Sequence, residues 1–290
     1  FAKEHKNAKE WNARFAIEEG RFQLRANHPK NAQKILAKVS EDFKGTDAVA
    51  DAEYYLIKAL SRGGNSEAHF TALVRFVKNH DNSPHWSSAN LELAAIYSRD
   101  EDYAGASRAY LNALNNGLYS DQRPAVFEKL YKTHRNLRLY DSAVGYARDL
   151  VQSYPSHALA REARIQIGDL LKDKGAHVEA IDELSPVLKD LSGDDWSIAQ
   201  NIIAESHQLM GDYDGALREY LKLVYNHQGS ANWIATAHMG RARSFEAQER
   251  QAEAIAELEK IRAKFGATSA FGLQAGNMID RLRLDRGARD

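Results

Sequence analysis

Eleven histidines are the residues of this chain best able to do chemistry, as metal ligands or proton carriers. His80 and His85 flank a proline turn. Five residues apart they share no helix face, and no nearby carboxylate completes a ligand set. His134 and His207 occupy one register position that Tyr97, Leu171 and Phe245 fill elsewhere, which assigns them to packing. Asp212-Tyr213-Asp214-Gly215 has the opening of a calcium loop. The sixth and twelfth loop positions need Gly and a bidentate Glu, but Leu217 and Leu223 stand there. Glu18 and Glu19 are helix neighbours that diverge by about 100° and cannot straddle a scissile bond. No GxxxxGKS/T loop, GxSxG elbow or HExxH pair occurs. With no cysteine, disulfides, thiolate metal sites and a cysteine nucleophile are excluded. The expectation is a protein that is not an enzyme, with no metal and no cofactor.

The bulk composition agrees. Over 290 residues, 39 basic side chains face 40 acidic ones, a net charge of -1 that provides no global field for nucleic acid. The charge is uneven: residues 1–44 carry ten Lys/Arg against six Asp/Glu, whereas 146–290 carry eighteen against twenty-two. Apolar residues at 43% suffice for a core, and only five prolines and eighteen glycines favour helices over a turn-rich β-fold. No apolar run reaches the ~20 residues that span a bilayer, so no transmembrane segment is expected. The lack of cysteine weighs towards a periplasmic or cell-envelope location over a cytoplasmic one. A start at Phe1 fits a trimmed or mature chain.

The elements that must position any site show themselves as a repeat. Ala32, Ala68, Ala106, Ala143, Ala180, Ala216 and Ala254 lie 36, 38, 37, 37, 36 and 38 residues apart. Twelve residues before them stand Gly20, Leu56, Ala94, Tyr131, Gly168, Ala204 and Ala242, five of the seven small. Four residues after stand Leu36, Ala72, Tyr110, Ala147, Leu184, Tyr220 and Leu258, all apolar or aromatic. Seven after, six of seven are apolar, with Arg75 the exception. Ala216, Leu217, Tyr220, Leu221, Leu223 and Val224 have the helical i, i+3, i+4, i+7 spacing. Thr46, Ser66, Asp141 and Ser230 are candidate helix caps, and Pro155 and Gly266 close second helices.

A small residue, an alanine twelve on, an apolar or aromatic residue four beyond that, and a closing Pro or Gly together resemble the tetratricopeptide repeat pattern. The resemblance covers roughly residues 10–266, with a period slightly above the usual 34. It implies an all-α, right-handed superhelical solenoid of about seven helix pairs plus a C-terminal capping helix. The expected domain is one array over 1–290. Its units are 8–44, 46–80, 85–118, 121–155, 156–192, 194–228 and 230–266, and its cap is 268–285. Leu56 and Tyr131 depart from the small-residue rung, where wider or rotated packing is expected.

Such arrays act as scaffolds or adaptors that take a protein or extended peptide on the concave face lined by first helices. Projecting the register onto that face selects Arg14, Arg21, Arg25, Tyr54, Arg99, Lys132, Arg135, Asn136, Gln166, Asn201, Glu205 and Arg243. Arg and Tyr serve at binding hot spots, and amides grip extended backbones. The expected partner is a protein or peptide and not a nucleic acid, and peripheral association with a membrane complex is compatible. The later units resemble those of bacterial envelope members of the family. Two alternatives compete: a small-molecule binder, with Tyr54, Trp86 and Leu91 walling a closed apolar pocket, and an interaction module of a larger protein. Self-association through the terminal helices would need an exposed apolar stripe on 268–285.

Overall fold

The computed structural model describes residues 2–227 and 229–287, with side chains for 8–227 and 229–284. The described residues are helical with no strand. The helices are α1 (Ala2–Arg25), α2 (Pro29–Asp42), α3 (Ala48–Arg62), α4 (Ser66–Asn79), α5 (Trp86–Arg99), α6 (Tyr103–Asn115), α7 (Arg123–Asn136) and α8 (Tyr140–Ser153). There follow α9 (Ala158–Lys174), α10 (His177–Leu184), a 3-10 turn (Leu188–Asp190), α11 (Gly193–Leu209), α12 (Tyr213–Asn226), α13 (Asn232–Ala247), α14 (Gln251–Phe265) and α15 (Ala270–Gly287). None is long and apolar enough to cross a membrane. Two compact units form, Phe1–Leu137 and Arg138–Asp290.

In each unit every helix packs on its sequence neighbours, and first helices also touch each other, α1 on α3, α9 on α11 and α11 on α13. The ladder alanines are fully buried at the crossings, except Ala68, which is half-buried. The rung twelve before and the rung four after meet directly. A Cβ on Gly20 would fall 2.6 Å from Leu36 Cγ, and one on Gly168 would fall 2.4 Å from Leu184 Cγ. Each leucine therefore fills the hole that the glycine leaves, and burying it contributes roughly 2 kcal/mol.

This pairing explains one of the two departures. Where α3 carries the large Leu56, α4 carries the small Ala72. The sizes are exchanged instead of summed. Tyr131 is buried within the N-terminal unit, and Ala147 within the C-terminal one. Leu56 and Ala72 leave a cleft of about 410 Å³ between α3 and α4, which also receives the exposed Arg75.

The turns inside the pairs share one backbone device. Asn27, Gly64, Glu101, Arg138, Gly175, Gly211 and Glu249 follow one another at 36 to 38 residues. All have left-handed φ, between 58° and 87°. The residue after the turn then donates back five positions, as in Ala176 N to Leu171 O (2.9 Å), Asp212 N to His207 O (3.0 Å) and Arg250 N to Phe245 O (2.9 Å). These bonds satisfy carbonyls that a helix end leaves open. The second helices are then capped by Asn65, Asp102 and Asp212, which accept from the N–H groups of Ala68, Gly105 and Gly215. The expected caps are displaced. Ser66 and Asp141 lie inside their helices, and Thr46 and Ser230 stand outside the N-cap positions of α3 and α13.

At the C-terminal end, Ala275, Ile279 and Leu282 of α15 join Leu258, Ile261 and Phe245 in one apolar cluster. The opposite side of α15 leaves Leu273 and Leu284 exposed.

Candidate functional site

In the C-terminal unit the first helices α9, α11 and α13 lie side by side and form a polar face. Lys172 of α9 places Nζ 3.0 Å from Asp169 Oδ1 and 2.7 Å from Glu205 Oε2 of α11. Asn201 Nδ2 donates to the other carboxylate oxygen of Glu205 at 2.9 Å. Burial lowers the Lys172 pKa, and the opposing Glu205 and Asp169 carboxylates outweigh it, so the net shift is upward and the ammonium stays charged. Asn201 is 9% exposed, and its Oδ1 has no hydrogen-bond partner. Gln166 lies half-buried beside this network, and Arg243 is exposed on α13.

In the N-terminal unit the corresponding face is cationic. Arg21, Leu24 and Arg25 of α1, with Tyr55, Lys58 and Arg62 of α3, line a cleft of about 290 Å³. The Arg21 guanidinium lies 4.8 Å from the Tyr55 ring centre, and Arg62 Nη1 donates to Leu24 O at 2.7 Å. Lys58 sits 4.8 Å from the Tyr54 ring centre and pairs with Glu92 of α5. Arg21 also pairs with Glu18. Burial and then the Arg62 charge pull the Lys58 pKa below its usual value.

The other selected residues scatter. Arg14 is exposed and held to Glu10 at 3.2 Å. Arg99 is exposed and bound to its neighbour Asp100 at 2.9 Å. Lys132 pairs with Glu128, Arg135 is half-buried, and Asn136 is exposed on α7. Tyr54 faces no groove. It is 8% exposed, stacked on His85 with ring centres 4.1 Å apart, because the segment before α5 folds over it. Trp86 is also 8% exposed and donates Nε1 to Val77 O at 2.8 Å.

His80 and His85 do meet carboxylates, against the sequence reading, because α3 brings Glu53 2.9 Å from His80 Nε2 and Asp51 3.3 Å from His85 Nε2. His134 is buried, with Nδ1 2.9 Å from Leu130 O. His207 does more than pack, since its Nδ1 lies 2.8 Å from the Asp212 carboxylate that caps α12. Among the described residues, no group of three His, Asp or Glu is placed to hold a metal ion.

Sequence reasoning passed over two groups. Lys58 and Arg62 follow Arg21 and Arg25 by 37 residues, in step with the turn residues Asn27 and Gly64 and one position out of step with Ala32 and Ala68. The second group is the ion network of Glu257, which is 4% exposed in its side chain. It meets His238 Nδ1 at 2.6 Å, Arg241 Nε at 3.1 Å and Lys260 Nζ at 2.9 Å. This network ties α13 to α14 and belongs to the scaffold.

A buried alanine in six of the seven second helices and a left-handed turn ahead of each of them define a tetratricopeptide-type helical repeat fold. No protein-family model matches the sequence, and no curated protein matches it. Solved structures share the fold. The C-terminal part of a TPR repeat-containing protein from Cytophaga hutchinsonii is similar over 89% of this chain and 98% of its own, at 12% identity and a TM-score of 0.55. The apo form of RapI is similar over 86% of this chain and 75% of its own, at 10% identity and a TM-score of 0.56.

Proposed function

We propose that this chain is a non-catalytic interaction scaffold that holds an extended peptide segment of a partner protein against its first helices. The observation that carries this is the Asn201 network. Two adjacent first helices hold a rigid set of donors and acceptors, and the Asn201 amide oxygen within it is unmatched. A buried acceptor without a partner costs about 1–3 kcal/mol, which a peptide N–H would offset. Glu205, 34% exposed in its side chain, is the group that must swing aside to admit it. Reading the seven helix pairs as one array rests on the sequence period, which runs from Ala106 to Ala143 without a break.

A closed site for a small molecule has less support. Tyr54 and Trp86, its required walls, are spent on His85 and Val77.

The test uses peptides selected by random display against the whole chain. Asn201→Leu removes both amide groups while keeping side-chain volume. It should leave the urea midpoint nearly unchanged, because an unmatched acceptor and one donor bond are lost together, and weaken the selected peptides about tenfold. Equal affinity for Asn201→Leu and the unaltered chain would remove this face as the site.

A further inference from the structure

The cationic cleft between α1 and α3 is a second feature, independent of the Asn201 network. Four of its six lining residues are basic and none is acidic. Its basic residues form two i, i+4 pairs, Arg21/Arg25 and Lys58/Arg62, each ending two residues before a left-handed turn residue, Asn27 or Gly64. Stacked helix pairs bring the two helix ends side by side, so all four cations converge and outnumber the acids that reach them by two. Two acids do pair from outside the cleft, Glu18 with Arg21 and Glu92 with Lys58. Arg62 spends one N–H group on the Leu24 carbonyl, which holds its guanidinium at the wall. Arg25 is exposed.

We infer that this cleft binds the side-chain carboxylate of an acidic peptide segment, with an adjoining apolar side chain laid on Tyr55 and Leu24. This rests on the peptide-binding function proposed above and specifies one feature of the peptide. Size and charge select the ligand. About 290 Å³ holds one carboxylate and part of a neighbouring side chain. The flanking Glu18 and Glu92 would repel a continuous polyanion, which counts against nucleic acid. An isolated carboxylate meets Arg25 and the free faces of Arg21 and Arg62 in charge-assisted hydrogen bonds. The crowding already seen at Lys58, whose pKa falls through burial and then through Arg62, would be relieved by that anion.

The experiment is fluorescence anisotropy on the full chain at 50 mM salt. The probe is a rhodamine-labelled nonapeptide, Gly-Ser-Leu-Glu-Glu-Leu-Gly-Ser-Gly, compared with its twin in which both Glu are Gln. The Glu peptide should bind about tenfold more tightly than the Gln peptide, and 500 mM salt should remove most of that difference. Arg25→Gln should weaken the Glu peptide about fivefold, and Arg25→Glu should abolish the preference. Arg25 is exposed and in no packed cluster, so both variants should fold. Lys38→Gln, an exposed change on α2, should have no effect. Equal binding of both peptides, or an unchanged preference in Arg25→Glu, would overturn the inference. So would an equal loss in Lys38→Gln, which would mean unspecific attraction. Displacement by 5 mM inorganic phosphate with no preference between the peptides would make free phosphate the ligand and also overturn it. Display-selected peptides that still need Asn201 while the cleft assay fails would leave the proposed function standing and remove only this site.

Discussion

The buried carboxylate of Glu257 offers the sharpest test of the energetics. Burial raises its pKa, but hydrogen bonds from His238, Arg241 and Lys260 outweigh that and hold it at about 2, against an ordinary 4.5. A gap of about 2.5 units corresponds to roughly 3 kcal/mol of stability. The folded state binds its proton less readily than the unfolded state. The stabilisation is therefore present in full above about pH 4.5 and is lost as pH falls from there towards 2. Glu257→Gln removes the charge while Arg241 and Lys260 remain. The variant should be less stable by about 3 kcal/mol at pH 6, and the difference should shrink progressively at pH 4 and pH 2.5. Urea midpoints followed by fluorescence measure it, with Trp233 on α13 as the local reporter. Comparing the two proteins at each pH cancels every other carboxylate. A difference that stays constant from pH 6 to pH 2.5, or lies below 1 kcal/mol at pH 6, would refute the reasoning.

Three further outcomes follow from the repeat geometry. Gly168→Ala places a methyl group inside the Leu184 side chain and should cost about 2 kcal/mol. Adding Leu184→Val should recover part of that in urea titrations, a coupling that independent sites would not show. Glu249→Gly should raise the thermal midpoint by a few degrees, because a non-glycine residue at φ 59° stores about 1 kcal/mol that glycine releases. Asn65→Ala should cost about 1 kcal/mol through loss of the α4 cap, whereas Ser66→Ala, one residue inside the helix, should cost less.

The repeat was legible because each unit buries the same positions, so Gly20 and Leu36 recur as Gly168 and Leu184 with the same contact. The unit with reversed sizes looks like a fault when each rung is read alone. Leu56 and Ala72 make sense only as a pair on two helices. Groove register was less dependable. Tyr54 shares the first-helix face with its neighbours, yet the residues before α5 bring His85 onto its ring, and no repeat period encodes that loop. Asn65 and Ser66 are both good caps by type, and backbone geometry chose the earlier. Nothing in the sequence singles out Glu257, because its partners His238 and Arg241 come from the preceding helix.

Hydrogen exchange of the chain with and without a display-selected peptide tests the central claim most directly. A scaffold that works through its first helices should gain protection on α9, α11 and α13 around Gln166, Asn201, Glu205 and Arg243, with α10, α12 and α14 unchanged. Protection confined to those second helices, or to the outer side of α15, would contradict it.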